Sequence, residues 1–177
     1  MNQLAWGYLN NLLAEEVKWM KEAEKKGGNH LEPSEMVLQC LYTDALEKNR
    51  RMTADVRKYF VGKLEKMSGQ LTIYGKALSA IVLKEAGKEA KAKKFLESLM
   101  QYSVMTEEMG RYFDTPKAEY SWFSYRIPTQ VVAIEAVKCI ANEEKTQEEM
   151  KRWLLKQKQA QAWDTPIATA DAVYALL

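Results

Sequence analysis

The chain has 177 residues and a mass of 20.4 kDa, enough for one domain that buries roughly 70% of the surface its unfolded form exposes, without a disulfide or metal staple. Gly and Pro number only 8 and 4, where average usage would place about 21 together; that deficit predicts long helices and argues against disorder, collagen, a disulfide scaffold and a turn-rich β-sandwich. Twenty-six basic and 24 acidic residues leave a net charge of +2, too balanced for the footprint of a nucleic-acid binder, and no run approaches the ~18 apolar residues of a membrane span.

Two kinds of helical segment alternate along the chain. Met1 to Trp19 lacks the basic-then-apolar layout of a secretory signal, and about Leu4 to Lys26 reads as an amphipathic helix with Leu9, Leu13, Val17 and Met20 on one face. About Ser34 to Lys48 is apolar nearly all round, which predicts a helix enclosed by protein. Thr53 to Met67 returns to the amphipathic kind, through Val56, Tyr59, Phe60, Leu64 and Met67. Leu71 to Ala86 is again enclosed, Lys88 to Ser103 amphipathic, Thr129 to Ala141 enclosed, Thr146 to Gln159 amphipathic, and Ile167 onward enclosed. Eight segments thus make four outer–inner pairs.

The punctuation fits this division. Thr146 with Glu149 reads as a capping box, Thr53 as a cap, Gly69 and Gly87 as C-terminal turns, and Pro33, Pro128 and Pro166 precede or open inner helices. Self-alignment opens the inner helices at Ser34, Thr72, Thr129 and Thr169, in steps of 38, 57 and 40 residues. That is a helix-hairpin repeat with one insertion, all within a single domain spanning 1–177.

The insertion, Tyr102 to Arg126, crowds Tyr112, Phe113, Tyr120, Trp122, Phe123 and Tyr125 into fourteen residues. Such aromatics either form a stacking platform, a candidate interaction surface, or plug one end of the helix array.

Chemistry-bearing motifs are sparse. His30, the one histidine, reads as a solvated loop residue, and Cys40 and Cys139 sit in apolar runs without partners at metal-ligand spacing. No metal, no nucleophilic triad and no cofactor is expected, and no Gly-rich phosphate loop occurs. The Lys-rich run 88–94 reads as a solvated helix face. Glu35, Asp44, Glu135 and Asp171 on inner helices are the acids a glycosidase-like or cyclase-like site would recruit, yet each has a structural role open to it.

One signature goes further. Trp153-Leu154-Leu155-Lys156-Gln157, then Trp163, Thr165 and Thr169 opening an all-apolar helix through Ala170, Ala172, Val173, Tyr174, Ala175 and Leu176, resembles the outer-to-inner crossing of α/α-toroids, and more closely the thioester-type domain of the bacterial alpha-2-macroglobulin family. Gly69-Gln70-Leu71 through Leu83, Glu85-Ala86-Gly87 and Ala90 to Leu99 are similar to that domain's paired-helix unit. Tyr120 to Val137, with Trp122, Tyr125, Ile127, Thr129, Gln130 and Glu135, is similar to its next crossing. The resemblance covers about Gly69 to Leu177 and is weak over the first third.

It implies an all-α, terpenoid-cyclase-like α/α-toroid, a partial ring of four helical hairpins, belonging to a larger secreted or periplasmic bacterial protein that encloses attacking proteases. The implied partners are target proteases, met through the full-length parent, and other domains of the same chain, with no nucleic acid and no membrane insertion by this piece. In many members a Cys-x-x-Gln-type motif forms a thioester. Here Cys40 precedes Leu41-Tyr42-Thr43 and Cys139 precedes Ile140-Ala141-Asn142, so neither has the glutamine and no thioester is expected. Ala170 to Leu177 reads as a helix in full progress, which predicts a fragment cut from something larger, marginally stable or self-associating. The expected function is therefore structural and non-enzymatic; a toroid enzyme acting on a carbohydrate or polyprenyl substrate and a helical-repeat interaction scaffold are the alternatives.

Overall fold

The computed structural model describes residues 3–27, 31–47, 51–67, 71–114, 125–160 and 165–177. Among them the chain forms eight α-helices and one two-stranded antiparallel hairpin. The helices are α1 (Gln3–Lys25), α2 (Glu35–Leu46), α3 (Ala54–Lys66), α4 (Ile73–Glu85), α5 (Glu89–Met100), α6 (Arg126–Ala136), α7 (Glu144–Ala160) and α8 (Pro166–Leu176). Strands β1 (Ser103–Thr106) and β2 (Gly110–Phe113) lie between α5 and α6, and a π-turn (Val137–Ala141) extends α6.

The architecture follows from which helices have a polar face. Every residue of α4 from Ile73 to Leu83 is buried, so α4 is the centre of the core. It packs against α2 and α6 on either side and against α5, while α8 lies along α6. The amphipathic helices bury one stripe each: Leu13, Val17 and Met20 on α1, Val56, Phe60 and Leu64 on α3, Phe95, Leu96 and Leu99 on α5, Met150, Trp153 and Leu154 on α7. A fully buried side chain of this size stabilises by about 1.5–3 kcal/mol, which is why these stripes fix where each helix sits.

Local signals act as read at several ends. Ser34 Oγ accepts from Val37 N–H and Thr72 Oγ1 from Gly75 N–H, capping α2 and α4. Gly87 takes φ +74° and, with Lys88 N–H donating to Leu83 O and Gly87 N–H to Lys84 O, ends α4 in a Schellman turn.

Other ends differ from expectation. Thr53 stands at the start of α3, but its side chain makes no cap bond; instead its N–H donates to Asn10 Oδ1 from α1. The inner helix expected from Thr129 begins at Arg126, with Thr129 buried inside its first turn. Thr165, not Thr169, caps α8 by accepting from Ala168 N–H. Helix-opening positions are thus Ser34, Thr72, Tyr125 and Thr165, in steps of 38, 53 and 40 residues.

The Thr146–Glu149 capping box does not form: α7 starts two residues before Thr146, whose hydroxyl donates to Glu143 Oε2, and Glu149 pairs with Arg111 of β2. The hairpin draws that carboxylate away.

The largest correction concerns α8, expected to be enclosed. Ala168 and Ala172 are buried, whereas Ile167 is 72% and Tyr174 66% exposed, and Val173 and Leu177 are exposed too. The alanine face of α8 meets α6 closely, so its bulky residues point away. On α2, Met36 and Leu46 are likewise exposed.

Candidate functional site

Two regions gather the residues that the sequence singles out. The first is the insertion. Its described part is a hairpin rather than a loop, registered Ser103 opposite Phe113 and Thr106 opposite Gly110. Glu107 to Met109 make the three-residue connection, and Gly110 at φ +79° supplies the left-handed residue that such connections use.

The hairpin is fastened to α7 and α6. A Cβ on Gly110 would lie 2.2 Å from Glu149 O, so β2 crosses α7 at backbone contact. Arg111 Nε donates to Glu149 Oε2 at 3.0 Å, and the Tyr112 ring stacks on Trp153 with centroids 5.9 Å apart. Buried Gln130 of α6 donates from Nε2 to Arg111 O at 2.8 Å and to Met150 O at 3.1 Å, joining β2, α6 and α7 through one amide.

Of the six aromatics singled out, Phe113 is buried, Tyr112 is half-buried on Trp153, and Tyr125 is half-buried with its ring edge against Tyr74 at 5.3 Å. Tyr120, Trp122 and Phe123 lie outside the described residues, as do His30, Gly69 and Trp163.

The second region is a polar cluster among the inner helices. Tyr42 of α2 donates its hydroxyl to Glu135 Oε2 of α6. Burial, then that carboxylate, pushes the Tyr42 phenol well above its usual range. Tyr74, buried at the start of α4, is raised to about 12, first by burial. Gln39 Nε2 reaches its hydroxyl at 3.5 Å, and the charges of Glu35 on α2 and Asp171 on α8 act on it. Glu35 accepts from Thr72 Oγ1 at 2.7 Å through Oε1, while Oε2 is buried without a partner. Burial holds both Glu35 and Asp171 above the ordinary carboxyl range, against the Thr72 bond in the case of Glu35.

Asp44, the fourth inner acid, is spent on the fold. It accepts from Arg51 N–H, Met52 N–H and Arg57 Nε at 2.7, 2.8 and 2.7 Å. These bonds overcome the upward push of burial and hold its carboxyl low.

Among the described residues no group of three or more His, Cys, Asp and Glu could hold a metal ion, and no helix is long and apolar enough to cross a membrane. Cys40 is half-buried and Cys139 exposed, both with thiols pushed up, first by burial.

The chain matches no family model, no curated protein and no solved structure. The resemblance drawn from Trp153 to Leu177 therefore rests on those residues themselves.

Sequence reasoning missed three features of these regions: the hairpin, the π-turn and the Tyr42–Glu135 bond. Gly110 following Glu107-Glu108-Met109 is the one local signal that could have disclosed the hairpin. The π-turn ends at Asn142 in the left-handed region, φ 53°, and Asn142 was a readable stop signal. The Tyr42–Glu135 bond has no local signature.

Proposed function

We propose that this chain is a non-catalytic α/α-toroid domain, a partial ring of helical hairpins that works as a packing unit within a bacterial alpha-2-macroglobulin-like, protease-trapping protein outside the cytoplasm. The observation that carries this reading is the bond from Tyr42 to Glu135. α4 packs against both α2 and α6, and a side-chain bond from α2 to α6 past it fits a row of inner helices that curves about a common axis, which supports a toroid. The amphipathic helices bury one stripe each and leave the other face to solvent, which suits an outer layer.

Two further observations support the same reading. Three of the four inner acids hold the fold together: Asp44 pins the entry to α3, Glu135 bonds Tyr42, and Glu35 bonds Thr72. The open apolar side of α8 suits an element that packs against further protein.

The test uses the full-length parent that this reading assigns. It is incubated with trypsin and assayed on a small peptide substrate and a large protein substrate in parallel. Retained cleavage of the peptide with lost cleavage of the protein is the expected result, because a caged protease keeps its active site but excludes bulk. Unchanged cleavage of both overturns the trap reading.

A further inference from the structure

The first turns of α2 and α4 meet closely. A Cβ on Gly75 would lie 3.3 Å from Leu38 Cδ1 of α2 and 3.3 Å from Thr72 Oγ1, so the crossing is tight without one. Thr72 joins the two helices at this point. Its Oγ1 accepts from Gly75 N–H at 3.0 Å, which caps α4, and donates to Glu35 Oε1 at 2.7 Å, which holds the start of α2.

The other half of the Glu35 carboxyl is poorly provided for. Oε2 is shut off from solvent and has no hydrogen-bond partner. The N–H groups of a first helical turn favour an anion, yet none of them bonds to this oxygen. A charge taken out of water without a partner is costly, and a carboxyl so placed relieves the cost by holding a proton.

The surroundings offer no compensating charge among the described residues. On α4, Lys76 is 3% exposed and committed elsewhere, donating to Ser98 Oγ of α5 at 2.9 Å with its Nζ over the Tyr102 ring. The Tyr74 phenol of α4 feels the charges of both Glu35 and Asp171 of α8, and it stays protonated. Glu16 of α1 acts on Cys40 rather than on Glu35, Glu135 of α6 is taken by the Tyr42 hydroxyl, and Asp44 lies at the far end of α2, bonded to Arg57.

We propose that the α2–α4 junction is a pH-responsive clasp, closed most firmly when Glu35 is neutral and loosened by its ionisation. The reading is independent of the protease-trap proposal. Burial pushes the Glu35 carboxyl above its usual range and outweighs the Thr72 bond, which acts the other way. Its folded pKa therefore lies above the unfolded value of about 4.3. The stabilisation is fully present below that value and is lost as pH rises through the folded pKa, opposite in sign to the behaviour of Asp44. The two acids thus make the two ends of α2 respond to pH in opposite directions.

The experiment compares the wild-type chain with Glu35→Gln by chemical denaturation between pH 4 and pH 8. The variant keeps an oxygen for the Thr72 hydroxyl and carries no charge at any pH. It is expected to be the more stable of the two at pH 8, with the difference closing toward pH 4. Hydrogen exchange at the first rungs of the two helices, Leu38 N–H to Ser34 O and Lys76 N–H to Thr72 O, should be several-fold slower in the variant at pH 8 and equal at pH 4. A titration of the Glu35 side-chain carboxyl by carbon NMR in the wild-type chain, assigned by the signal that Glu35→Gln removes or by sequential assignment, should show a midpoint above that of an unperturbed glutamate. A variant no more stable than the wild type at pH 8, a difference that does not change with pH, or a Glu35 midpoint at or below about 4.3 each overturns the proposal. The NMR midpoint alone decides if Glu35→Gln fails to fold.

Discussion

Asp44 shows how one buried charge can organise a junction. Its carboxylate is closed off from water and satisfied by two backbone N–H groups and the Arg57 guanidinium, which also donates to Met52 O at 2.7 Å. Asp44→Asn keeps an oxygen for the two N–H groups but turns an amide donor toward the Arg57 guanidinium, and should cost about 3 kcal/mol at neutral pH, because removing one member of a buried pair strands the other. Since the folded pKa of Asp44 lies below its unfolded value, its contribution is fully present above about pH 3.9 and disappears as pH falls through the folded pKa. Chemical denaturation of both proteins from pH 7 to pH 2.5 should show the gap closing at the acid end; a gap independent of pH would refute the assignment. Gly110 is the other residue with no substitute. Gly110→Ala combines a left-handed backbone with a Cβ inside van der Waals contact of Glu149 O, for an expected loss of about 2–4 kcal/mol. Hydrogen exchange should show the loss concentrated in β1 and β2, since the hairpin packs mainly on α7 and α6 and not on α4 or α2.

At the scale of elements, helix positions were legible because they are written locally. Apolar spacing, Ser34 and Thr72 as caps, and Gly87 as a stop all act within one turn of the residue concerned. The hairpin was not legible, because β1 has no buried alternation: Val104, Met105 and Thr106 are all exposed and are held only by pairing to β2. Of the candidate surface, the placement of Tyr112 depends on Trp153, forty-one positions away, and no local pattern records such a partner. The same holds for α8. Its apolar composition was read as enclosure, but composition does not say how many neighbours a helix will meet. The bulky side of α8 should drive association: sedimentation velocity is expected to show concentration-dependent species, and Val173→Lys with Tyr174→Lys should return a monomer with stability changed by no more than about 0.5 kcal/mol each, as for exposed positions generally. A wild-type chain that stays monodisperse at all concentrations would contradict this.

For the molecule as a whole, the succession of helical segments was readable in outline, but not which helices meet past α4. The Tyr42–Glu135 bond joins residues 93 positions apart. That separation has a consequence for how the molecule forms. Helices that pair mainly with chain neighbours assemble through short loops and quickly, whereas the Tyr42–Glu135 bond must wait until α4 and α5 have been laid between its partners. It belongs late on the folding route. Tyr42→Phe should therefore leave the refolding rate in stopped-flow experiments nearly unchanged while speeding unfolding about fivefold, the behaviour of a contact absent from the transition state. The bond would then act as a latch closed after assembly, setting how long the native state lasts rather than how fast it is reached.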